Sequence, residues 1–83
     1  MEKSIHSARY AVLLKVLREA RERASLTQEQ LARKIGETQT FVSKCERGER
    51  RVDVTELRTF CQAFGLNLTK FVAALDKAIR KAK

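Results

Sequence analysis

Residues 28–47 read QEQLARKIGETQTFVSKCER, and this stretch decides the fold. It contains two short amphipathic segments, separated by Gly36 and a connection too tight for anything but two helices that cross at a steep angle. Thr27 precedes the first segment and Gln30 stands three residues later, which predicts an N-terminal capping box. Thr38 is placed to cap the second segment. The motif predicted over residues 27–47 is therefore a helix-turn-helix.

The second predicted helix, residues 38–46, has an apolar face and a polar face. Val42 and Cys45 fall on the side that meets the first helix, and Gly36 can take the left-handed conformation that ends that first helix. The outward side presents amide, hydroxyl and ammonium groups, on Gln39, Thr40, Ser43 and Lys44. Because such groups hydrogen-bond base edges and phosphates, we expect this helix to enter the major groove of DNA.

The rest of the chain has the length and pattern of a helical scaffold. Its 83 residues predict one domain over 1–83, and a hydrophobic content of 43% suffices for a small core. The absence of proline favours short connections. Helical spacing predicts further helices over about 5–23, from Asp53 to Gly65 and over 67–82. The expected inner face of the fourth helix consists of Val54, Leu57, Phe60, Cys61 and Phe64. We therefore expect a compact all-α domain of five helices.

The charge of the chain points to a polyanionic partner. The formal net charge is +8 and the isoelectric point is near 10.1, so nucleic acid is the first expectation and a merely solvated surface is the alternative. No apolar run approaches the roughly 20 residues that span a membrane, and no signal peptide is visible. We expect a cytoplasmic protein without a membrane partner.

Cysteine and histidine are too few for a disulfide framework or a metal site. Cys45 and Cys61 fall on apolar helix faces and are expected in the core, with a redox switch as the alternative. His6 is the single histidine and is expected at the surface. The chain shows no catalytic constellation and no phosphate-cradling glycine loop. We therefore expect no cofactor, no metal and no enzymatic activity.

Several motifs together resemble the phage-repressor and Cro-type helix-turn-helix family of bacterial regulators, over about residues 14 to 66. The matching residues are Arg21, Leu26, Thr27, Gln28, Glu29, Leu31, Ala32, Gly36, Val42, Ser43, Glu46, Arg47, Gly48 and Leu57. The chain departs from the family pattern at Ser25, where glycine is common, and at Val52, where proline is common. Glu37 and Cys45 stand where larger apolar residues are common. These departures concern loop shapes and stability.

The resemblance implies a lambda-repressor-like fold and adds two structural roles. In the family, the arginine near the end of the first helix meets the glutamate after the recognition helix in a largely buried ion pair, which here implies a pair of Arg21 and Glu46. The family position of Gln28 also braces the first residue of the recognition helix, which here is Gln39.

The expected DNA contacts divide into base contacts and phosphate contacts. Gln39 is the expected main reader, because its amide can donate to N7 of adenine and accept from the N6 amino group. The other candidate base contacts are Thr40, Ser43 and Lys44. Candidate phosphate contacts are Gln28 and Thr38 at the helix starts and Arg47, Arg50 and Arg51 in the loop after the recognition helix. Phe41 is expected either to touch thymine methyls or sugars or to pack under that loop.

The expected function is sequence-specific binding of double-stranded DNA by a transcriptional repressor, acting as a homodimer on a two-fold symmetric operator. The helix over 67–82 either closes the core against the first helix or pairs in part with a second copy. One alternative is an antitoxin or phage-encoded partner protein that binds another protein, such as a toxin, as well as its own promoter. Another is a general nucleic-acid or RNA-binding protein without preference among duplex sequences.

Overall fold

The computed structural model describes residues 3–82, with side chains from residue 8 onward, so His6 lies outside the side chains described. The helices are α1 (Lys3–Arg23), α2 (Gln28–Ile35), α3 (Gln39–Glu46), α4 (Val54–Phe64) and α5 (Leu68–Lys81). No strand occurs in residues 3–82. The predicted all-α architecture of five helices is confirmed.

The helix-turn-helix begins and turns where the sequence predicted. The Thr27 hydroxyl accepts from the backbone N–H of Gln30 at 3.0 Å, and the Gln30 side chain accepts from the backbone N–H of Thr27 at 2.9 Å. Gly36 ends α2 with φ +73°, and the Thr38 hydroxyl then accepts from the backbone N–H of Phe41 at 3.1 Å. These caps satisfy backbone groups that the helix ends leave unpaired, and they fix a short, sharp connection between α2 and α3.

The start of α4 confirms one prediction and corrects another. Asp53 and Glu56 form the predicted capping box, with 2.8 Å from the backbone N–H of Glu56 to the Asp53 carboxylate. The prediction that Val54 lies on the inner face is wrong, because Val54 is 67% exposed. It is the first residue of α4, and that end of the core is covered instead by Val52, which precedes the cap and packs against the core.

The core lies where α2, α3, α4 and α5 meet around the C-terminal half of α1. Its buried hydrophobic residues are Leu17, Ala20, Leu31, Ala32, Val42, Cys45, Leu57, Phe60, Cys61, Phe64 and Phe71. Both cysteines are free thiols with 0% exposure, and burial raises the pKa of each. They are therefore protonated side chains that pack as small apolar groups.

Helix α5 is held against the body of the protein rather than projecting from it. Asn67 caps its start with a 2.8 Å hydrogen bond from the backbone N–H of Thr69, and the helix contacts both α1 and α4. Phe71 is buried, while Leu75 packs at the edge of the core and Val72 is exposed. The structure therefore shows the core-closing arrangement of this helix, and pairing with a second copy stays a prediction.

Within residues 3–82, none of the helices combines the length and apolarity that crossing a membrane requires.

Candidate nucleic-acid interface

Helix α3 presents its polar side to solvent. Val42 and Cys45 are buried beneath it, against α2 and α1. Gln39, Thr40 and Lys44 are exposed, as predicted for groups that read DNA, whereas Ser43 is half-buried. The helix therefore stands on the surface with a continuous polar face.

A buried ion pair lies under the end of α3. The Arg21 guanidinium donates to the two carboxylate oxygens of Glu46, at 2.6 Å from Nε and 3.1 Å from Nη2. The side chains are only 11% and 7% exposed. The third nitrogen of Arg21 donates to the carbonyl oxygen of Leu26 at 2.7 Å, so the pair also ties down the connection before α2. The structure thus brings together the two residues that the family resemblance paired.

Gln28 connects this ion pair to the start of α3. Its Nε2 donates to Glu46 Oε1 at 2.9 Å, and its Oε1 accepts from Gln39 Nε2 at 2.8 Å. Arg21, Glu46, Gln28 and Gln39 therefore form one chain of hydrogen bonds, here called the inner network. The brace from Gln28 to Gln39 was expected from the family, but the bond from Gln28 to Glu46 was not. Residues 18 positions apart have no local signal that could have revealed it.

The loop after α3 holds Arg47 by a carboxylate that sequence reasoning missed. Arg47 donates to both oxygens of Glu49, at 2.9 Å from Nε and 3.2 Å from Nη2, and its Nη1 donates to the hydroxyl of Ser43. This fork lowers the pKa of the Glu49 carboxyl, because the hydrogen bonds and positive charge of Arg47 favour the ionised form. Two predicted DNA contacts, Ser43 and Arg47, are thus joined to each other.

Arg50 also has protein partners. Its guanidinium donates to both carboxylate oxygens of Glu56, at 2.8 and 3.0 Å, and lies 4.6 Å from the centroid of the Phe41 ring. Phe41 in turn lies 6.4 Å from Phe60 between ring centroids. Of the two expectations for Phe41, the structure shows the one in which it packs under the loop.

Arg51 lies beside α1, with its guanidinium 4.6 Å from the centroid of the Tyr10 ring. The Tyr10 hydroxyl accepts from the backbone N–H of Val52 at 2.9 Å. The guanidinium groups of the three loop arginines therefore have different partners within the protein. Arg47 and Arg50 are each held by a carboxylate, whereas Arg51 is held by an aromatic face.

Comparison with known proteins agrees with this geometry. Residues 17–71, more than half of the chain, match the family model described as helix-turn-helix. The chain belongs to the XRE-type helix-turn-helix family. A solved structure described as an XRE-family like protein from Pseudomonas syringae pv. tomato str. DC3000 is similar, with 45% identity and a TM-score of 0.83. The match covers 90% of this chain and 92% of that chain. No curated protein matches.

The resemblance to phage-repressor and Cro-type regulators is thus confirmed, and this XRE-family protein is a DNA-binding transcription regulator. Two of the departures from the family pattern lie in loops. Ser25 adopts φ +61°, a left-handed conformation that glycine reaches without strain. At Val52, a backbone N–H that proline lacks is used for the bond to Tyr10.

Among the side chains of residues 8–82, no group of three or more histidine, cysteine, aspartate or glutamate residues is placed to hold a metal ion. Among the described side chains, the titratable groups with shifted pKa values are the two core cysteines and the loop groups around Arg47, Arg50 and Asp53. Each shift has a structural cause in burial or pairing.

Proposed function

We propose that this protein is a sequence-specific transcriptional repressor that places α3 in the major groove, with Gln39 as its main base reader. The observation that supports the proposal is the inner network. It holds the exposed amide of Gln39 in one orientation, through Gln28 and a buried ion pair. A buried ion pair carries a desolvation penalty, and an ordinary surface glutamine needs no such support. Holding the amide in place reduces the entropy that would be lost when it meets a base.

The orientation of Gln39 suits adenine. One N–H of Gln39 Nε2 is used on Gln28 Oε1, which leaves the second N–H and the Oε1 atom of the same amide. These two groups match the N7 acceptor and the N6 donor on the major-groove edge of adenine. Thr40 and Lys44 lie on the same exposed face and are proposed as further base contacts, the lysine toward guanine acceptors or a phosphate.

Phosphate contacts are proposed at both ends of the motif. The N-termini of α2 and α3 present backbone N–H groups at Gln28 and near Thr38, where an anion is favoured. In the loop, Arg51 has no carboxylate partner among residues 8–82 and is a proposed phosphate contact. Arg47 and Arg50 are proposed as well, because each keeps guanidinium N–H groups that its carboxylate partner does not use. With about four to six phosphates neutralised, the affinity should fall steeply with salt, by about 0.9 log units per phosphate for each log unit of salt.

Binding as a homodimer to a two-fold symmetric operator is part of the proposal. One α3 offers about three base contacts, each discriminating by roughly 1–3 kcal/mol, whereas specific operators need about 4–10 kcal/mol over non-specific DNA. Two copies meet that requirement, with half-sites about 10 base pairs apart. Repression then requires only that the bound dimer occupy a promoter, so the proposed activity is binding and not catalysis.

The test is a selection of bound fragments from random duplexes, with the wild type compared with Gln39→Ala. We expect the variant to lose about 1–3 kcal/mol of preference at one base pair of each half-site. Gln62→Ala is the matched control, because Gln62 is an exposed glutamine on α4, and it should select the same sequences as the wild type. A Gln39→Ala variant with the wild-type base profile would contradict the proposed readout.

The oligomeric part of the proposal has its own measurement. Sedimentation with a single selected duplex should give two protein chains per duplex, and footprints should show two-fold symmetry. One chain bound to an asymmetric footprint would leave the reading of DNA intact but would rule out the homodimer.

A further inference from the structure

Three side chains at the C-terminal end of α3 form a second hydrogen-bonded group, apart from the inner network. Ser43 and Arg47 are one helical turn apart, and Arg47 Nη1 donates to the Ser43 hydroxyl oxygen. The opposite edge of the same guanidinium, Nε and Nη2, donates to Glu49 at 2.9 and 3.2 Å. Arg47 is thus held from the loop while it reaches back to the polar face of α3.

The bond from Arg47 changes what the Ser43 hydroxyl can do. A serine hydroxyl has one donor hydrogen and two acceptor lone pairs, and it rotates freely to suit its partner. Here a cationic N–H occupies a lone pair in a charge-assisted bond, which is stronger than a bond between neutral groups. The hydroxyl hydrogen cannot point at a donor, so it is directed away from Arg47. Polarisation by the cation also makes this hydrogen a better donor.

Glu49 gives the arrangement a definite geometry. A guanidinium is planar, so fixing its Nε and Nη2 edge on one carboxylate also fixes the direction of Nη1. Hydrogen bonding to Arg47 holds the pKa of the Glu49 carboxyl below its usual range, so the anchor is ionised at neutral pH. The backbone N–H of Arg47 also donates to the Ser43 carbonyl oxygen at 3.0 Å, which fixes the start of the side chain relative to its target.

Ser43 lies one helical turn after Gln39, and in the major groove the bases differ in the groups they present. Guanine offers acceptors at O6 and N7, thymine at O4 and adenine at N7, whereas cytosine offers only its N4 amino donor. Because Arg47 occupies one lone pair and its charge weakens the other as an acceptor, the Ser43 hydroxyl favours a base that offers an acceptor. A freely rotating hydroxyl without this cation has no such preference.

We propose that Arg47 is a positioning residue that biases the Ser43 hydroxyl toward donating a hydrogen bond, so that a base with an acceptor on its major-groove edge, namely guanine, thymine or adenine, is favoured over cytosine at the position facing Ser43. The inference rests on the proposed function, because it requires α3 in the major groove. It gives Arg47 a role in sequence selection, beyond the general attraction to phosphate that its charge provides.

The experiment compares base profiles from random-duplex selection for the full chain and three variants: Ser43→Ala, Arg47→Lys and the double variant. Lysine keeps the charge but lacks the planar fork that joins Glu49 to Ser43. We expect each single variant to lower the preference at one base position by about two- to tenfold, the worth of one ordinary hydrogen bond. The double variant should lose no more than Ser43→Ala alone, because both changes remove the same contact.

Controls separate this effect from a change in charge or folding. Arg58→Lys, at an exposed arginine of α4, should leave the base profile unchanged. Arg47→Lys should keep the salt dependence of the wild type, because the number of cations is the same. The thermal unfolding temperature of Arg47→Lys should also stay close to that of the wild type, because Arg47 and Glu49 are exposed and such a pair contributes little to stability.

Two results would overturn the inference alone. In one, Gln39→Ala relaxes its own base position while Arg47→Lys weakens binding to all sequences alike, which would make Arg47 a phosphate clamp and nothing more. In the other, Ser43→Ala keeps the wild-type profile. A wild type without any sequence preference would instead remove the proposed function, and this inference with it.

Discussion

Glu46 and Arg47 are consecutive residues, yet their ion pairs lie in opposite environments. Glu46 turns inward to Arg21, where the two side chains are 7% and 11% exposed, and it also accepts a hydrogen bond from Gln28. Arg47 turns outward to Glu49, where the side chains are 54% and 53% exposed. The inner pair belongs to a network that reaches the polar face of α3 at Gln39, and the outer pair reaches the same face at Ser43.

The difference shows that burial, and not the residue types, decides what an arginine–glutamate pair does. In the inner pair, losing one partner strands a charge away from water. In the outer pair, water and salt replace the lost partner at little cost, so the pair orients a side chain but hardly stabilises the fold. The inner pair is therefore part of the scaffold, whereas the outer pair mainly orients Arg47.

Removing one glutamate from each pair tests this contrast most strongly. Glu46→Ala should lower the free energy of unfolding by about 3–5 kcal/mol, because it leaves Arg21 charged and buried. Glu49→Ala, the matched change in the outer pair, should lower it little. Urea unfolding of both variants measures the two effects. Equal losses would mean that the buried pair is no more important to the fold than the exposed one.

In the loop between α3 and α4, we expect the backbone conformation of Gly48 to matter more for stability than the exposed pair of Arg47 and Glu49. Gly48 has φ +79°, and a Cβ atom there would lie 3.0 Å from Cδ1 of Leu14. Gly48→Ala should therefore destabilise the protein by about 1–2 kcal/mol from the left-handed conformation, and more if Leu14 cannot move aside. Gly36→Ala is the control, since its φ is +73° with nothing within 4 Å. If the two variants unfold at the same urea concentration, contact with Leu14 adds nothing.

Features that depend on neighbours in sequence were predictable, and features that depend on the packed fold were not. The capping boxes of Thr27 with Gln30 and of Asp53 with Glu56 join residues three positions apart, so the sequence pattern was enough to predict them. The stripes of buried residues followed from helical spacing in the same way. The family resemblance, in turn, supplied the pair of Arg21 and Glu46.

The contacts that sequence reasoning missed join residues whose separation has no helical or capping pattern. The bond from Val52 to the Tyr10 hydroxyl spans 42 positions. The partners of Arg50, namely Glu56 and Phe41, lie on α4 and α3 and meet only after both helices have packed. Val54 was misplaced for a related reason, because spacing along α4 does not show where the first turn leaves the core.

Within the inner network, Gln28 links the pair of Arg21 and Glu46 to Gln39 on the exposed face of α3. Gln28→Ala leaves the bonds between Arg21 and Glu46 in place, so the free energy of unfolding should fall by no more than about 1 kcal/mol. Gln39 would lose its anchor, and its preferred base pair should lose about 1 kcal/mol of discrimination in competition binding. If Gln28→Ala kept full preference at that base pair, the inner network would serve the fold alone.

The smallest expected effect is the change in stability when the exposed carboxyl groups at the start of α4 are protonated in acid. The pKa of Asp53 is lowered by hydrogen bonding from the backbone of Glu56 and the side chain of Thr55, and the pKa of Glu56 is lowered chiefly by Arg50. A carboxyl whose pKa is lower in the folded state stabilises the fold above its unfolded value, about 3.9 for aspartate, and that contribution is lost as the pH falls through the folded value.

Asp53→Asn isolates this contribution, because asparagine also caps helices but does not titrate in this range. The free energy of unfolding of the wild type should exceed that of the variant near pH 6, and the difference should shrink as the pH falls below about 4. Urea unfolding at a series of pH values measures it. Parallel curves would show that the ionised state of Asp53 adds nothing to its capping geometry. Asp53 would then act on α4 only through the shape of its cap.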